Sequence, residues 1–194
     1  MQYMLVAVYS YLLGAIPSAY LIGKSRGKDI TSEGSGNIGG TNAYRVLGPR
    51  LGILVALMDL GKVFLALFVT KTWLGTEPAL FTAALAAVIG HNWSIYVKFK
   101  GGKGIAVSAG TYLFLFPNLA AMALLVALFN VIVTKYVSLG SLNFIMTMAL
   151  LLLVTAKGPW YILLGFLLLF IGMYRHKTNL RAMWAGNERR FGQN

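Results

Sequence analysis

The stretch IAVSAGTYLFLFPNLAAMALLVALFNVIV, residues 105–133, runs for 29 residues without a charged side chain. One helix of that length would measure about 43 Å at 1.5 Å per residue, whereas a hydrocarbon layer is about 30 Å thick. The stretch is therefore either one steeply tilted membrane span or two shorter spans. Phe116-Pro117-Asn118 lies near its middle, and a proline there favours a helix break or a new helix start.

The positions of the 17 lysines and arginines decide between one span and two. Dividing the stretch gives seven apolar segments, at residues 1–23, 51–72, 78–92, 105–116, 117–134, 137–156 and 159–174. With the N-terminus outside, 14 basic residues then lie on the inner side, two lie outside, and Lys62 falls within a span. A single span over residues 105–133 would instead divide them nine to seven. Because inner loops carry an excess of Lys and Arg, we predict an all-α, polytopic integral membrane protein with seven transmembrane helices, an outside N-terminus and a cytoplasmic C-terminus.

The composition excludes several other classes of protein. Of 194 residues, 58% are hydrophobic and 11% are charged, whereas a soluble domain carries about 25% charged residues. The absence of cysteine excludes a disulfide scaffold and thiolate catalysis. A net charge of +12 often indicates a nucleic-acid partner, but these cations flank apolar spans, so no nucleic acid is predicted. We expect a single membrane domain whose first segment is retained as a signal anchor, since no basic residues precede it.

Three inward segments, about residues 24–50, 93–104 and 175–194, hold most of the chain outside the spans. The first contains SEGSGNIGGTNAYR, residues 32–45, in which four glycines stand among hydroxyl and amide side chains. Such small residues let backbone N–H groups approach a ligand closely. The second, taken with the two residues before it, reads HNWSIYVKFKGGKG, residues 91–104, and leads into the predicted helix at residue 105. Backbone donors, a helix N-terminus and lysines together favour a phosphate group there.

The third segment mixes amide side chains with arginines, which bind phosphate through a bidentate fork. Basic loops of this kind also serve only to orient a membrane protein and to contact anionic lipid. Topology does not require clustered glycines, however, so the loops themselves are stronger evidence than their charges. The three segments predict a binding site for one large anion or two anionic groups on the inner membrane face.

Two further features could take part in chemistry. His91 lies where a span meets the second segment and is a candidate base near neutral pH, although a lone histidine there is more often structural. Asp59 and Lys62 are spaced i, i+3 in one span, and such a pair is either functional or an ion pair that locks the helix bundle. No Ser-His-Asp set or metal-binding carboxylate cluster is evident, so we predict no metal or cofactor and an already activated substrate.

The motifs occur in a specific order along the chain: Gly34-Ser35-Gly36-Asn37-x-Gly39-x-Thr41-Asn42-x-x-Arg45, then His91 leading to Lys98-Phe99-Lys100-Gly101-Gly102-Lys103-Gly104, then an Asn/Arg/Gly/Glu tail. This order, over the whole chain, resembles the bacterial membrane acyl-phosphate:glycerol-3-phosphate acyltransferases. The first two motifs are long and specific, and the third is looser. The sequence departs from the family at Ser94, where a proline is expected three residues after the histidine, and at Gly40, where alanine is more usual.

The resemblance implies transfer of a fatty acyl group from acyl phosphate to the first hydroxyl of glycerol 3-phosphate. The products would be lysophosphatidic acid (1-acylglycerol 3-phosphate) and inorganic phosphate, at the start of phospholipid biosynthesis. The enzyme would lie among membrane lipids in the bacterial cytoplasmic (inner) membrane, with its active site on the cytoplasmic face; the oligomeric state stays open. The alternatives are a membrane transporter or channel for an organic phosphate, which should place charged or broken elements near mid-membrane, and a nonenzymatic membrane subunit.

The resemblance also implies roles for individual residues. Ser35, Arg45 and Lys103 would bind phosphate at the catalytic centre, and the base would be either His91 or a substrate phosphate. The glycine backbones would add phosphate donors, at Gly36, Gly39, Gly101, Gly102 and Gly104. Asn37, Thr41 and Asn42 would order the first loop or hold glycerol hydroxyls. Lys98 and Lys100 would hold the acyl-phosphate head, and the tail residues would close the site over glycerol 3-phosphate: Asn179, Arg181 and Glu188.

Overall fold

The structure, a computed structural model, describes residues 1–192, and within them every regular element is a helix. A short 3₁₀ turn, Ile95–Val97, separates the fifth and sixth α-helices. The helices in chain order are α1 (Gln2–Ala15), α2 (Ser18–Ser25), α3 (Gly40–Leu47), α4 (Pro49–Trp73), α5 (Glu77–Asn92), α6 (Ile105–Leu115), α7 (Pro117–Thr134), α8 (Val137–Val154), α9 (Pro159–Arg175) and α10 (Lys177–Trp184). They form two compact units, Met1–Phe114 and Leu115–Asn194.

Several of these helices are long and apolar enough to cross a membrane. They number five among residues 1–192: Gln2–Ser25, Pro49–Trp73, Glu77–Val97, Pro117–Thr134 and Val137–Val154. The α9–α10 pair, bent by 60°, would make a sixth. The chain is thus an all-helical, multi-pass membrane protein.

The division of residues 105–133 predicted from sequence is confirmed, because the helix breaks at Phe116 and α7 begins at Pro117. Pro117 occupies the first helical position, where its missing N–H leaves no bond unmade. The preceding helix, α6, has 11 residues and is therefore about 16 Å long. That is shorter than the hydrocarbon layer, so the total of seven spans stays a prediction.

The first predicted span, residues 1–23, proves to be two helices separated at Ile16-Pro17. Pro17 has no N–H to donate to the carbonyl of Leu13, which accepts the N–H of Ile16 at 3.2 Å instead. Beyond it, Ser94 Oγ donates to the carbonyl of Ala15 at 2.5 Å. The carbonyl of Ile16 accepts both Lys62 Nζ at 2.9 Å and the N–H of Ser18 at 3.1 Å. A broken helix is tolerated in a membrane when its backbone groups are satisfied in this way.

In the first unit, α1 and α5 pack closely along one another, and α4 packs against both. A methyl group on Gly14 would overlap the backbone of Ala87, and one on Gly90 would overlap the carbonyl oxygen of Tyr11. Small residues at helix contacts allow this close backbone approach in membranes. The tightly packed α1–α4–α5 group is the support on which the polar loops of this unit rest.

In the second unit, α7 packs against α8 and α8 against α9. The ring of Phe116 meets that of Tyr161 edge to face at 4.9 Å between centroids. The backbone N–H of Phe191 donates to the carbonyl of Lys135 at 2.7 Å, which ties the tail to the start of α8.

Two short helices, α3 and α10, occupy segments that were predicted as loops.

Candidate phosphate-binding site

The first glycine-rich motif forms a loop, residues 31–39, here called loop 1, that stands on an apolar base. Ile30 precedes the loop and Ile38 lies near its end, with 0% and 4% of their surface exposed. Both belong to a buried cluster with Ala19, Ala43 and Val55. Burying a side chain of this kind contributes roughly 1.5–3 kcal/mol, so the two isoleucines hold the ends of the loop while its polar middle stays at the surface.

The side chain of Asn42, in the first turn of α3, holds loop 1 in its conformation. Its side chain is 1% exposed, and its Oδ1 accepts a hydrogen bond from the backbone N–H of Ser35 at 2.8 Å. Its Nδ2 donates to the carbonyls of Ile30 at 3.0 Å and Glu33 at 3.1 Å. Because these contacts occupy the amide on both sides, Asn42 is placed to order the loop and not to face a substrate.

The remaining polar residues of loop 1 and of α3, which follows it, are exposed or partly buried. Ser35, Thr41 and Arg45 are exposed, and Gly39 caps the N-terminus of α3, whose last turn carries Arg45. Asn37 and Gly36 are partly buried, and Gly36 has a φ of 68°. Loop 1 and α3 together therefore expose two hydroxyl groups and a guanidinium, which suit an oxyanion.

A turn before loop 1 fixes its entrance. The carboxylate of Asp29 accepts hydrogen bonds from the Thr31 hydroxyl at 2.6 Å and the Thr31 N–H at 2.9 Å. These bonds lower the pKa of the Asp29 carboxyl below its usual value. Asp29 is therefore ionised at neutral pH and acts as a turn former.

The second motif doubles back onto the end of α5 as a loop of residues 98–104, here called loop 2. Lys98 and Phe99 adopt left-handed backbone conformations, with φ of 54° and 59°. The N–H of Gly102 then donates to the carbonyl of His91 at 3.1 Å. Val97, just before the loop, packs on the apolar cluster under loop 1. Both loops of this unit thus share one hydrophobic base.

The two loops meet at Gly102. A methyl group at this position would overlap Nε2 of His91 and would stand 2.8 Å from the carbonyl oxygen of Ile38 in loop 1. Only hydrogen fits on the Cα at this approach. Two motifs separated by about 60 residues are therefore in van der Waals contact.

The basic groups of loop 2 lie beside the start of a helix. Lys98 and Lys100 are exposed, Gly101 and Lys103 are half-buried, and Gly104 has a φ of 81° just before α6. The unused N–H groups in the first turn of α6 and the nearby ammonium group of Lys103 attract the same kind of anion. Loop 2 therefore has the chemistry of a phosphate site, adjacent to loop 1.

His91 joins loop 2 to buried charges. Lys62 Nζ lies 2.8 Å from the Asp59 carboxylate and 2.9 Å from His91 Nδ1. The Ser18 hydroxyl donates to the same carboxylate oxygen at 2.8 Å. The pairing of Asp59 with Lys62 was predicted from their spacing, whereas the contacts to His91 and Ser18 were not.

Ser94, the departure from the family pattern, is buried at 1% exposure. Its hydroxyl donates to the freed carbonyl of Ala15, so it fixes the path of the chain between α5 and loop 2. A proline in its place would supply no such donor. The polar substitution is thus accommodated by the break at Pro17.

The third motif lies in the second unit. Glu188 Oε1 accepts hydrogen bonds from Asn179 Nδ2 at 2.8 Å and from Ser138 Oγ at 2.6 Å, while Arg181 is exposed. His176 is 3% exposed, and its Nδ1 contacts the carbonyl of Gly172 at 2.8 Å. Ser138 and His176 were not predicted as site residues. The signal for His176 was a second histidine at the end of an apolar span.

The described part of the chain, residues 1–192, contains no group of three or more His, Cys, Asp or Glu side chains arranged to hold a metal ion. The site geometry instead matches anion binding by cations and backbone amides. A family model described as glycerol-3-phosphate acyltransferase matches residues 4–186. The chain belongs to the glycerol-3-phosphate acyltransferase family. This membership confirms the family predicted from the motifs.

Members of the glycerol-3-phosphate acyltransferase family resemble this chain over nearly its full length, in sequence and in structure. The glycerol-3-phosphate acyltransferase of Shouchella clausii is 43% identical over 195 residues, 96% of this chain and 94% of the relative. That of Fusobacterium nucleatum subsp. nucleatum is 36% identical over 192 residues, 98% and 99% of the two chains. A crystal structure of PlsY (YgiH), an integral membrane glycerol 3-phosphate acyltransferase in its glycerol 3-phosphate form, gives a TM-score of 0.94 at 32% identity, covering 99% of this chain and 96% of that one. The lysophosphatidic acid form of PlsY gives 0.91 with the same identity and coverage.

Proposed function

We propose that this chain transfers a fatty acyl group from acyl phosphate to the first hydroxyl of glycerol 3-phosphate. The observation that carries the proposal is the close approach of two glycine-rich loops at Gly102 and Ile38. Loop 1 is followed by Arg45 on α3, and loop 2 carries Lys98, Lys100 and Lys103. Both proposed substrates bear a phosphate group, so two adjacent anion-binding loops match the pair. The PlsY structures with glycerol 3-phosphate and lysophosphatidic acid support the acceptor and the product.

The chemistry needs little from the protein beyond positioning and charge. The acceptor hydroxyl oxygen attacks the carbonyl carbon of the acyl phosphate, and the carbonyl carbon to phosphate oxygen bond breaks. The hydroxyl proton is transferred to a phosphate oxygen, which gives lysophosphatidic acid and inorganic phosphate. Acyl phosphate is already activated, so no covalent enzyme intermediate is required. Cations and N–H groups close to the phosphates would lower the barrier by stabilising the charge that develops on oxygen.

The geometry around His91 favours a substrate phosphate as the base. Lys62 has three N–H donors, and they have three acceptors: the Asp59 carboxylate, the Ile16 carbonyl and Nδ1 of His91. A protonated Lys62 donates this hydrogen bond to Nδ1 of His91, which also lies 3.7 Å from the Asp59 carboxylate. The ring proton of a neutral imidazole is then on Nε2. An imidazole in that tautomer, with Nδ1 occupied, has no open site for a substrate proton. We assign His91 to positioning.

The exposed residues of the two loops suit different parts of the substrates. Ser35, Arg45 and Lys103 would hold the phosphates. The glycines predicted as backbone donors would mainly allow the tight turns beside them: Gly36, Gly39, Gly101, Gly102 and Gly104. The N–H groups of Gly36, Gly39 and Gly102 already donate to the carbonyls of Glu33, Asn37 and His91. Lys98 and Lys100, at the surface of loop 2, would hold the acyl-phosphate head. Asn37 and Thr41 would contact glycerol hydroxyls or support loop 1. The family resemblance implies a role in binding glycerol 3-phosphate for three further residues: Asn179, Arg181 and Glu188.

The proposed setting is the bacterial inner membrane, with the two loops on the cytoplasmic side. The predicted distribution of 14 basic residues toward one side supports this orientation, with the N-terminus outside and seven spans. In this topology α6 would cross as a short span. The chain would form a single acyltransferase domain with its three motif segments facing the cytoplasm.

The transporter alternative has one observation in its favour, the broken α1–α2 helix beside buried charges. Transporters often bind substrates at such breaks. Here, however, the carbonyls of Ala15 and Ile16 are occupied by Ser94 and Lys62, and the charge of Lys62 is balanced by Asp59. The break therefore supports loop 2, and the acyltransferase proposal is preferred.

An activity assay on detergent-purified protein tests the proposal. With palmitoyl phosphate and glycerol 3-phosphate, we expect one inorganic phosphate released for each lysophosphatidic acid formed. Palmitoyl-coenzyme A in place of the acyl phosphate should give no product, because its acyl carbon bears a thioester sulfur and no phosphate that the site could bind next to the reacting carbonyl. Phosphate release without lysolipid, or product only with the thioester, would overturn the proposed donor.

A further inference from the structure

The ion pair in α4 is linked to a third group beyond its own helix. Asp59 and Lys62 are 1% and 7% exposed, and His91 in α5 is 7% exposed. An ion pair buried in a membrane protein needs each charge balanced and each donor partnered. The third donor of Lys62 is directed at His91 Nδ1. This hydrogen bond links the ion pair in α4 to the end of α5.

On its other edge the His91 ring faces loop 2. Its Nε2 lies against Gly102, where no side chain fits, and its backbone carbonyl accepts the N–H of the same glycine. Ring and backbone of His91 together determine where Gly102 lies. Lys103, the next residue, is one of the proposed phosphate ligands. A rotation of the imidazole would displace the glycine turn and with it the Lys103 ammonium group.

We propose that Asp59 and Lys62 are positioning residues for the phosphate-binding loop 2. Lys62 holds His91 in one ring orientation and one tautomer, and Asp59 holds Lys62. The fixed imidazole sets Gly102 against Ile38, so that the two loops keep the spacing needed for two phosphates. The inference rests on the proposed function of these loops, and it adds buried residues that touch no substrate.

The broken first span has a place in the same arrangement. The carbonyl of Ile16 takes one donor of Lys62, and the carbonyl of Ala15 takes the hydroxyl of Ser94. Ser18, the first residue of α2, donates to Asp59. The break at Pro17 therefore anchors both the ion pair and the chain that enters loop 2. An ion pair acting only as a lock between helices would need no contact with His91.

Nitrogen NMR of the two histidines tests the first step without any substrate. Protein labelled with ¹⁵N-histidine in micelles contains His91 and His176 as its imidazoles, and a His176→Gln variant assigns them. We expect the Nε2–H tautomer for His91 at pH 7 in the wild-type protein. In Lys62→Met this tautomer should no longer dominate. An Nδ1–H or doubly protonated His91 in the wild type would overturn the proposal, whatever the activity.

Kinetics of a neutral double variant separate positioning from simple stabilisation. In Asp59→Asn/Lys62→Met the buried charges are gone, so the thermal midpoint should recover relative to Lys62→Met alone. His91 still lacks its donor, so the KM of one of the two substrates should stay about 10- to 100-fold above wild type, with kcat nearly unchanged. Lys71→Met, at an exposed lysine of the same helix, should match wild type and serves as control.

If the double variant has wild-type KM values, the ion pair only stabilises the helix packing, and the proposal is overturned. A double variant that fails to fold leaves the decision to the tautomer of wild-type His91. Inactive wild-type protein with the expected Nε2–H tautomer would instead count against the proposed function of the loops. The two failures are therefore distinguishable.

Discussion

Replacing Arg45 or Lys103 with alanine should lower kcat/KM for acyl transfer by about 100- to 1,000-fold, as expected for loss of one stabilising group at a developing oxyanion. Arg45 is exposed on α3 next to loop 1, and Lys103 precedes the N-terminus of α6 in loop 2. Neither is part of the apolar base under the loops. Initial rates over both substrate concentrations would measure the effect.

A conservative pair of variants sharpens this prediction. Arg45→Lys keeps the charge but loses the bidentate fork, so it should recover only part of the activity. Arg50→Ala is the matched control, since Arg50 is an exposed arginine of the same inward segment and has no proposed role. If Arg45→Ala and Arg50→Ala had equal, small effects, the basic residues of this segment would only orient the chain.

Gly102→Ala should reduce activity by about 100-fold and also lower the thermal midpoint. The added methyl group would overlap Nε2 of His91 and crowd the carbonyl of Ile38, so loop 2 must move away from loop 1. Overpacking of this kind costs about 1–3 kcal/mol, and a displacement of about 1 Å at a site can cost a factor of about 100 in rate. Kinetics and thermal unfolding in the same detergent would measure both effects.

Gly61→Ala is the control for that substitution. Gly61 lies in α4, where an added methyl group meets nothing within 4 Å, so alanine should match or slightly exceed wild-type stability. Equal behaviour of the two alanine variants would show that the loops do not need the contact at Gly102, which would remove the basis for a shared site.

The two helix breaks at proline show which features of this fold can be predicted from the sequence and which cannot. The break at Pro117 was predictable because residues 105–133 are too long for one span and the charges favour division. The break at Pro17 was missed because residues 1–23 have an ordinary length for a span. Its stability depends on donors from Lys62 and Ser94, which lie about 45 and 80 residues further along the chain. Local patterns contain no information about such partners.

The candidate site was predictable in its parts and not in its assembly. Glycine density and charge identified both loops as anion-binding segments. Their contact depends on Val97 packing onto the cluster of Ile30 and Ile38, which is a tertiary event. Similarly, the spacing of Asp59 and Lys62 predicted an ion pair but did not show that its third partner is His91. The role of Asn42 in ordering loop 1 also became evident only from its three hydrogen bonds in the folded structure.

The most direct test of the two-loop phosphate site is a crystal structure of this protein with glycerol 3-phosphate and a non-hydrolysable acyl-phosphonate. We predict phosphate and phosphonate oxygens within hydrogen-bonding distance of the side chains of Ser35, Arg45 and Lys103. Phosphate and phosphonate bound elsewhere, with loops 1 and 2 in contact only with solvent or lipid, would contradict the assignment.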